Sequence, residues 1–196
     1  MNISNYYWYF TGVLTPKFCD DVIAYANQQE EVMARTGGYG DRKLKKEEIK
    51  VLKKAAKKEL GKHVNINLLD KPVLLSVGRQ VPRKGHAWFI EKVLTQLNHP
   101  CHYLLVGDGP ERETILTAIH RNAEALAERH IHVHILGRKS DYWVHKAYTA
   151  ADVFMMPNIK VEGDMEGFGI VLLEANLHFT PVFCSDLEGM KDVVEQ

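Results

Sequence analysis

From Lys71 to Ser185, short apolar runs alternate with stretches of helical spacing, and this alternation leaves few folds open. PVLLSV (72–77), HYLLVG (102–107), HVHILG (132–137), VFMMP (153–157) and PVFCS (181–185) have the length and content of buried strands. Between them, His86–Leu97 and Glu111–Arg129 carry apolar residues on one helical face, as do the residues around Trp143–Ala151. Asp141 is placed to cap the third of these helices, and GDMEGFGIVLLEAN (163–176) opens a fourth. Strands apolar on both sides, joined through helices, predict an α/β fold. Its parallel sheet has about five strands and right-handed crossovers. Ligands of such sheets bind outside the carboxyl ends of the strands, where every unusual loop of this sequence falls.

The first 62 residues read differently. NYYWYF is aromatic-rich and strand-like, TPKFCDDVIAYANQQ reads as a helix entered at Thr15-Pro16, and RTGGYGDR (35–42) is a glycine-rich break. Lys43–Leu60 predicts a basic amphipathic helix, with an Ile49, Leu52, Ala56, Leu60 stripe among eight lysines. We therefore divide the chain into an N-terminal appendage, 1–62, and an α/β domain, 63–196. The 25 basic residues balance the 25 acidic ones, which gives no case for nucleic acid. Three scattered cysteines fit a reduced, cytoplasmic protein. Neither a secretory leader nor a span of about 20 apolar residues is evident.

Two loops carry the candidate chemistry. In GRQVPRKGH (78–86), Gly78 permits a sharp turn, and Arg79, Arg83 and Lys84 put cations at a strand end, where phosphate oxygens are bound. In the second loop, Gly167 and Gly169 flank a helix start, whose bare N–H groups attract phosphate. Glu166 lies at that end, and Glu174 follows eight residues later, about 12 Å along a helix at 1.5 Å per residue. Carboxylates so spaced suit the hydroxyls of a sugar and of a ribose, with a diphosphate between them. HIHVH (130–134) invites a metal reading, but steps of about 7 Å along one strand are too long for chelation by adjacent pairs, so strand-edge histidines are expected.

LLSVGRQVPRKG (74–85), LLVGDGPER (104–112), HILGRKSD (134–141), AADVFMMP (150–157), EGFGIVLLEA (166–175) and TPVFCSDLEGM (180–190) resemble, in order and spacing, the C-terminal donor-binding domain of family-4 (group 1) glycosyltransferases of GT-B fold. The resemblance implies a Rossmann-like half of that fold and hexosyl transfer from a UDP- or GDP-sugar with retention, without an essential metal or other cofactor. It gives Arg79 and Lys84 the donor diphosphate and the leaving group. Glu166 takes the donor sugar, helped by the backbone of Gly167, Phe168, Gly169 and Ile170, and Glu174 takes the ribose. Gly78 belongs to the donor loop, and the Gly137-Arg138 turn lies against the base. Catalytic roles thus fall to Arg79, Lys84 and Glu166.

The family pattern also expects an N-terminal acceptor domain, for which about 65 residues are too few, and a further strand and helices after VVEQ. The expected entity is a donor-binding half, with a glycan or lipid-linked acceptor and a partner chain supplying the acceptor domain; the lysine helix reads first as a solvated face, with contact to the inner face of a membrane as the alternative. The alternatives are a non-catalytic nucleotide-sugar-binding module and an inactive fragment or fusion. The first residues faintly resemble the start of phage-type iron/2-oxoglutarate hydroxylases. The H-x-D pair which that activity needs is missing from the sequence.

Overall fold

A computed structural model of the chain describes residues 44–164 and 169–187, together with the backbone of 7–10. These residues form one wholly parallel sheet of six strands. The strands are β1 (Tyr7–Phe10), β2 (Val73–Val77), β3 (Cys101–Val106), β4 (Ile131–Gly137), β5 (Val153–Met156) and β6 (Val182–Ser185), in the spatial order β1-β6-β5-β2-β3-β4. The five strands read from the sequence are all present. The sixth is the aromatic N-terminal run, whose backbone pairs with β6 from Tyr7↔Val182 to Phe10↔Ser185. The helix entered at Thr15-Pro16, the glycine-rich break and the rest of the hydroxylase-like segment lie outside the described residues.

Helices cover both faces. On one side lie α1 (Lys46–Val64), α5 (Asp141–Ala150) and α6 (Ile170–Leu177); on the other lie α2 (His86–Lys92), α3 (Arg112–Arg121) and α4 (Ala123–Glu128). β3 shows why the runs read as continuously apolar: all six of its residues are buried. Leu104 and Val106 join the core under α1, α5 and α6, while Cys101, Tyr103 and Leu105 join the core under α2, α3 and α4.

Several helix limits differ from the spacing. The single helix expected over 111–129 is broken at Asn122, where both the backbone N–H and the side-chain amide donate to the Ala118 carbonyl. An asparagine that bonds its own backbone in this way competes with the helix ladder. The helix expected over 86–97 ends at Lys92 and tightens to a 3-10 turn at Leu94–Gln96. Ser140, rather than Asp141, takes the cap position of α5, and Asp141 is its first helical residue.

The basic helix also differs from its sequence reading. α1 extends to Val64, through the division drawn at residue 62, and ends at Asn65 in the left-handed region. Ala56 and Leu60 sit in the core with Tyr148 and Leu172. Two of its lysines serve the fold: Lys53 donates to the Ala151 carbonyl and to Thr180 Oγ1 (3.1 Å), and Lys57 pairs with Asp152 at 2.6 Å. Further along, Glu59 pairs with Lys146 (2.8 Å), and His63 stacks on Trp143 at 3.8 Å. As residue numbers rise in α1 they fall in α5, so the two helices are antiparallel. The carboxyl end of α1 therefore lies where α5 begins, at the edge where β4 ends.

At the opposite edge of the sheet, His102 of β3 is 2.8 Å from the Asp70 carboxylate through Nε2 and 3.0 Å from His134 Nε2 through Nδ1. The strand-edge histidine reading therefore misses a partner: His134 is tied to the next strand. The His102 bond holds the Asp70 carboxyl below its usual range, and burial, then the neighbouring His102, pulls the His134 ring down to about 4. Burial, then Lys84, does the same to His86, also to about 4. A histidine depressed in the fold takes its proton more readily in the unfolded chain. Its contribution is complete above about pH 6.5 and is lost as pH falls toward about 4. His86, 6% exposed, alone should cost about 2 kcal/mol over that window. We expect the urea midpoint to fall between about pH 7 and about pH 4.5, with a smaller fall in His86→Gln. A midpoint independent of pH would contradict the buried, neutral imidazole.

Candidate active site

The strand order reverses beside β2: the chain steps outward through β3 and β4, then returns to place β5 and β6 on the other side. A crevice at such a reversal, at the carboxyl ends of the strands, is where open α/β sheets hold ligands. The loops that leave β2 and β5 flank this point, and they are fastened to each other. The Ile159 N–H donates to the Arg83 carbonyl at 2.9 Å, and the Arg83 guanidinium reaches both Asp164 oxygens at 3.0 and 3.2 Å. Gly85 packs so closely that a Cβ there would stand 2.1 Å from the Pro157 carbonyl oxygen. Of the three cations read from GRQVPRKGH, Arg83 thus serves to join the two loops.

The β2 loop is fastened on its other side as well. The Gly78 N–H donates to the Val106 carbonyl and the Gln80 N–H to the Asp108 carbonyl, both at 2.9 Å, and the Gly107 N–H donates to the Gly137 carbonyl, again at 2.9 Å. The loops after β2, β3, β4 and β5 thus form one continuous edge, as the alternation predicted. Asp108 accepts from the Gly109 N–H at 2.9 Å and shapes the turn.

Gly78, Arg79, Lys84, Gly137 and Arg138 lie on this edge. Arg79 and Arg138 are exposed, whereas Lys84, on the 3-10 turn Pro82–Lys84, is 8% exposed. The Lys84 Cε lies 3.8 Å from the position a Cβ on Gly78 would take, so the ammonium stem runs back over the end of β2. Gly169 caps α6 in the left-handed conformation, with φ 63°, and Ile170 behind it is exposed. Glu166, Gly167 and Phe168 lie outside the described residues. Because α6 begins only at Ile170, the helical rise of about 1.5 Å per residue does not set the separation of Glu166 from Glu174.

Glu174 holds the least expected contact. It is half-buried, and its Oε2 accepts a hydrogen bond from the Tyr148 hydroxyl at 2.7 Å. Nothing in the sequence spacing pairs Tyr148 with a carboxylate 26 residues away. A cavity of about 450 Å³ opens beside this edge at the ends of β5 and β6, between Trp88, Met156, Asn158, Lys160, Phe183 and Asp186. Among the described residues, none of the candidate site residues lines it.

The parallel sheet and its reversal point define a Rossmann-like α/β domain. Residues 71–196 match the family model of glycosyl transferases group 1, and the chain belongs to that family. It is 29% identical over 128 residues to an alpha-D-kanosaminyltransferase of Streptomyces kanamyceticus, a match covering 64% of this chain and 31% of that protein. A phosphatidyl-myo-inositol mannosyltransferase of Mycobacterium leprae is 33% identical over 128 residues, again covering 64% of this chain and 31% of the relative. The chain thus spans about a third of the length of the curated relatives it matches. In fold it is similar to Anabaena HepE in complex with UDP and glucose (TM-score 0.55, 22% identity), over 72% of this chain and 36% of that one. It is also similar to the C-terminal domain of a group 1 glycosyltransferase of Francisella tularensis (TM-score 0.51, 17% identity), over 71% and 70% of the two chains.

Proposed function

We propose that this chain binds a nucleotide-sugar donor, a UDP- or GDP-hexose, and forms the donor half of a retaining glycosyltransferase that works without an essential metal. The observation that supports this most is the fastening of the β2 and β5 loops across the reversal point, with Lys84 and Arg79 on the same edge. In this reading Arg79 and Lys84 hold the diphosphate and stabilise the charge that develops as it leaves. Glu166 and the backbone of Gly167 to Ile170 hold the hexose, Glu174 the ribose, and Gly137-Arg138 the base. Support also comes from HepE, a fold neighbour seen with UDP and glucose. The test is ligand-observed NMR of the purified chain against UDP, GDP, ADP and their sugar conjugates. One base series is expected to bind; a folded chain that binds none would refute the donor site.

The acceptor, in this reading a glycan or lipid-linked sugar, is met by a domain from a partner chain. The competing view is a nucleotide-sugar-binding module without turnover. Release of sugar from bound donor by the chain alone would exclude that module.

A cytoplasmic, membrane-facing position fits the outer side of α1. Lys46, Lys50, Lys54, Lys58 and Lys62 recur every fourth residue, and all are exposed. They form a ridge about 24 Å long at 1.5 Å per residue, ending toward the donor edge. Val51 and Leu52 stand exposed beside it. Each such lysine adds about 1 kcal/mol near an anionic bilayer. The chain should co-sediment with phosphatidylglycerol vesicles, and replacing Lys50, Lys54, Lys58 and Lys62 by Glu should abolish this. Equal binding to uncharged vesicles would contradict the ridge.

A further inference from the structure

We infer that Tyr148 is a positioning residue for the donor site: its hydroxyl fixes the Glu174 carboxylate in one orientation and so makes that carboxylate selective for a ribose diol. The inference rests on the reading of Glu174 as the ribose ligand. Its own observations are independent of that reading.

Tyr148 cannot follow a moving carboxylate. It is 1% exposed, with its ring 5.6 Å from that of Phe154 and stacked at 5.7 Å and 9° on His178. His178 is itself held, with Nε2 2.8 Å from His145 Nδ1 and Nδ1 2.9 Å from Thr149 Oγ1. The stack is therefore clamped from α5 and from the end of α6 together. Burial, and then the Glu174 bond, push the phenol far above its ordinary range, so the hydroxyl remains a donor. A buried hydroxyl needs a partner, and Glu174 Oε2 is the acceptor it meets. The bond fixes both groups: Tyr148 is satisfied, and Glu174 loses its freedom to turn.

That loss of freedom is what makes the carboxylate selective. A free carboxylate on a helix accepts hydroxyls in many orientations and gives up rotamer entropy on binding. With Oε2 engaged, Oε1 accepts no hydrogen bond among the described residues and meets a ligand in one orientation. A site built to bond particular hydroxyls discriminates strongly against an analogue that lacks them. The device is absent from the family motif as read in the sequence, because its donor lies on α5 and its clamp on a residue beyond the motif.

The test measures dissociation constants of UDP and GDP, each beside its 2′,3′-dideoxy counterpart, for the wild-type chain, Tyr148→Phe and Glu174→Gln. Tyr148→Phe keeps the ring and its packing, and Glu174→Gln keeps an acceptor for the phenol. For the base series that binds, Tyr148→Phe should weaken the ribonucleotide about threefold to tenfold and leave the dideoxynucleotide within about twofold. A Tyr148→Phe chain that binds both as the wild type does, while Glu174→Gln has lost the discrimination, overturns the positioning role and leaves the ribose reading intact. Equal weakening of both nucleotides by Tyr148→Phe marks a merely structural residue and also overturns it. If Glu174→Gln leaves the ribonucleotide unaffected, or the wild type binds neither series, the ribose reading itself falls.

Discussion

Gly107→Ala should destabilise the domain by about 3 kcal/mol or more and lower its melting temperature by about 10 °C. Gly107 follows β3 at φ 129°, and a Cβ on it would stand 1.9 Å from the Gly78 carbonyl oxygen. The obstacle is backbone, which cannot swing aside as a side-chain tip would. To admit a methyl group, the β2 loop has to leave the β3 loop. That breaks the bonds from Gly78 to Val106 and from Gln80 to Asp108, and frees the Gln80 side-chain amide from the Gly107 carbonyl. The same loop carries Arg79 and Lys84, so nucleotide binding should fall with stability. Gly163 is the control: its φ is also positive, 75°, but a Cβ there meets nothing within 4 Å. Gly163→Ala should cost only about 1 kcal/mol, from backbone strain alone. Equal melting temperatures for the two variants would mean that the contact between the loops does not hold the site.

Lys84→Met should weaken nucleoside diphosphate binding about 10- to 100-fold and leave the nucleoside untouched. A charged hydrogen-bonding contact is worth about 1.5–3 kcal/mol, and each 1.4 kcal/mol is about tenfold. Methionine keeps the length of the buried stem and removes the ammonium, so the comparison isolates charge. Calorimetric titration with UDP and with uridine reads the difference. A loss that is the same for both ligands would place Lys84 away from the phosphates. His86 supplies a second readout: Lys84 contributes to its depressed pKa, so the His86 ring should titrate at a higher pH in Lys84→Met.

The hydroxylase-like beginning contributes only its four-residue strand to what the structure describes, and that strand lies beside β6, the last strand in the sequence. Backbone hydrogen bonds fill the edge of a sheet without regard to distance along the chain, so no local pattern announces this pairing. The same holds for α1. Its lysine-rich face reads as one solvated or lipid-facing stripe. Yet Lys53 and Lys57 turn inward, because the carbonyl of Ala151 and the carboxylate of Asp152 lie at the end of an antiparallel neighbour.

What the amino-acid order determined by itself was local and periodic: five buried strands, the helices between them, the edge on which the loops after the strands gather, and the family to which residues 71–196 belong. Apolar runs with parallel crossovers have almost one way to bury both faces. Only the tertiary structure decided which neighbour each charged residue meets. Arg83 and Lys84 are adjacent in sequence. One clasps Asp164 of the β5 loop, and the other lies back over Gly78. Tyr148 and Glu174 are 26 residues apart and share a hydrogen bond. The energy of a charge or a buried hydroxyl depends on the group a few ångströms away, and that group is chosen by the packing of distant segments.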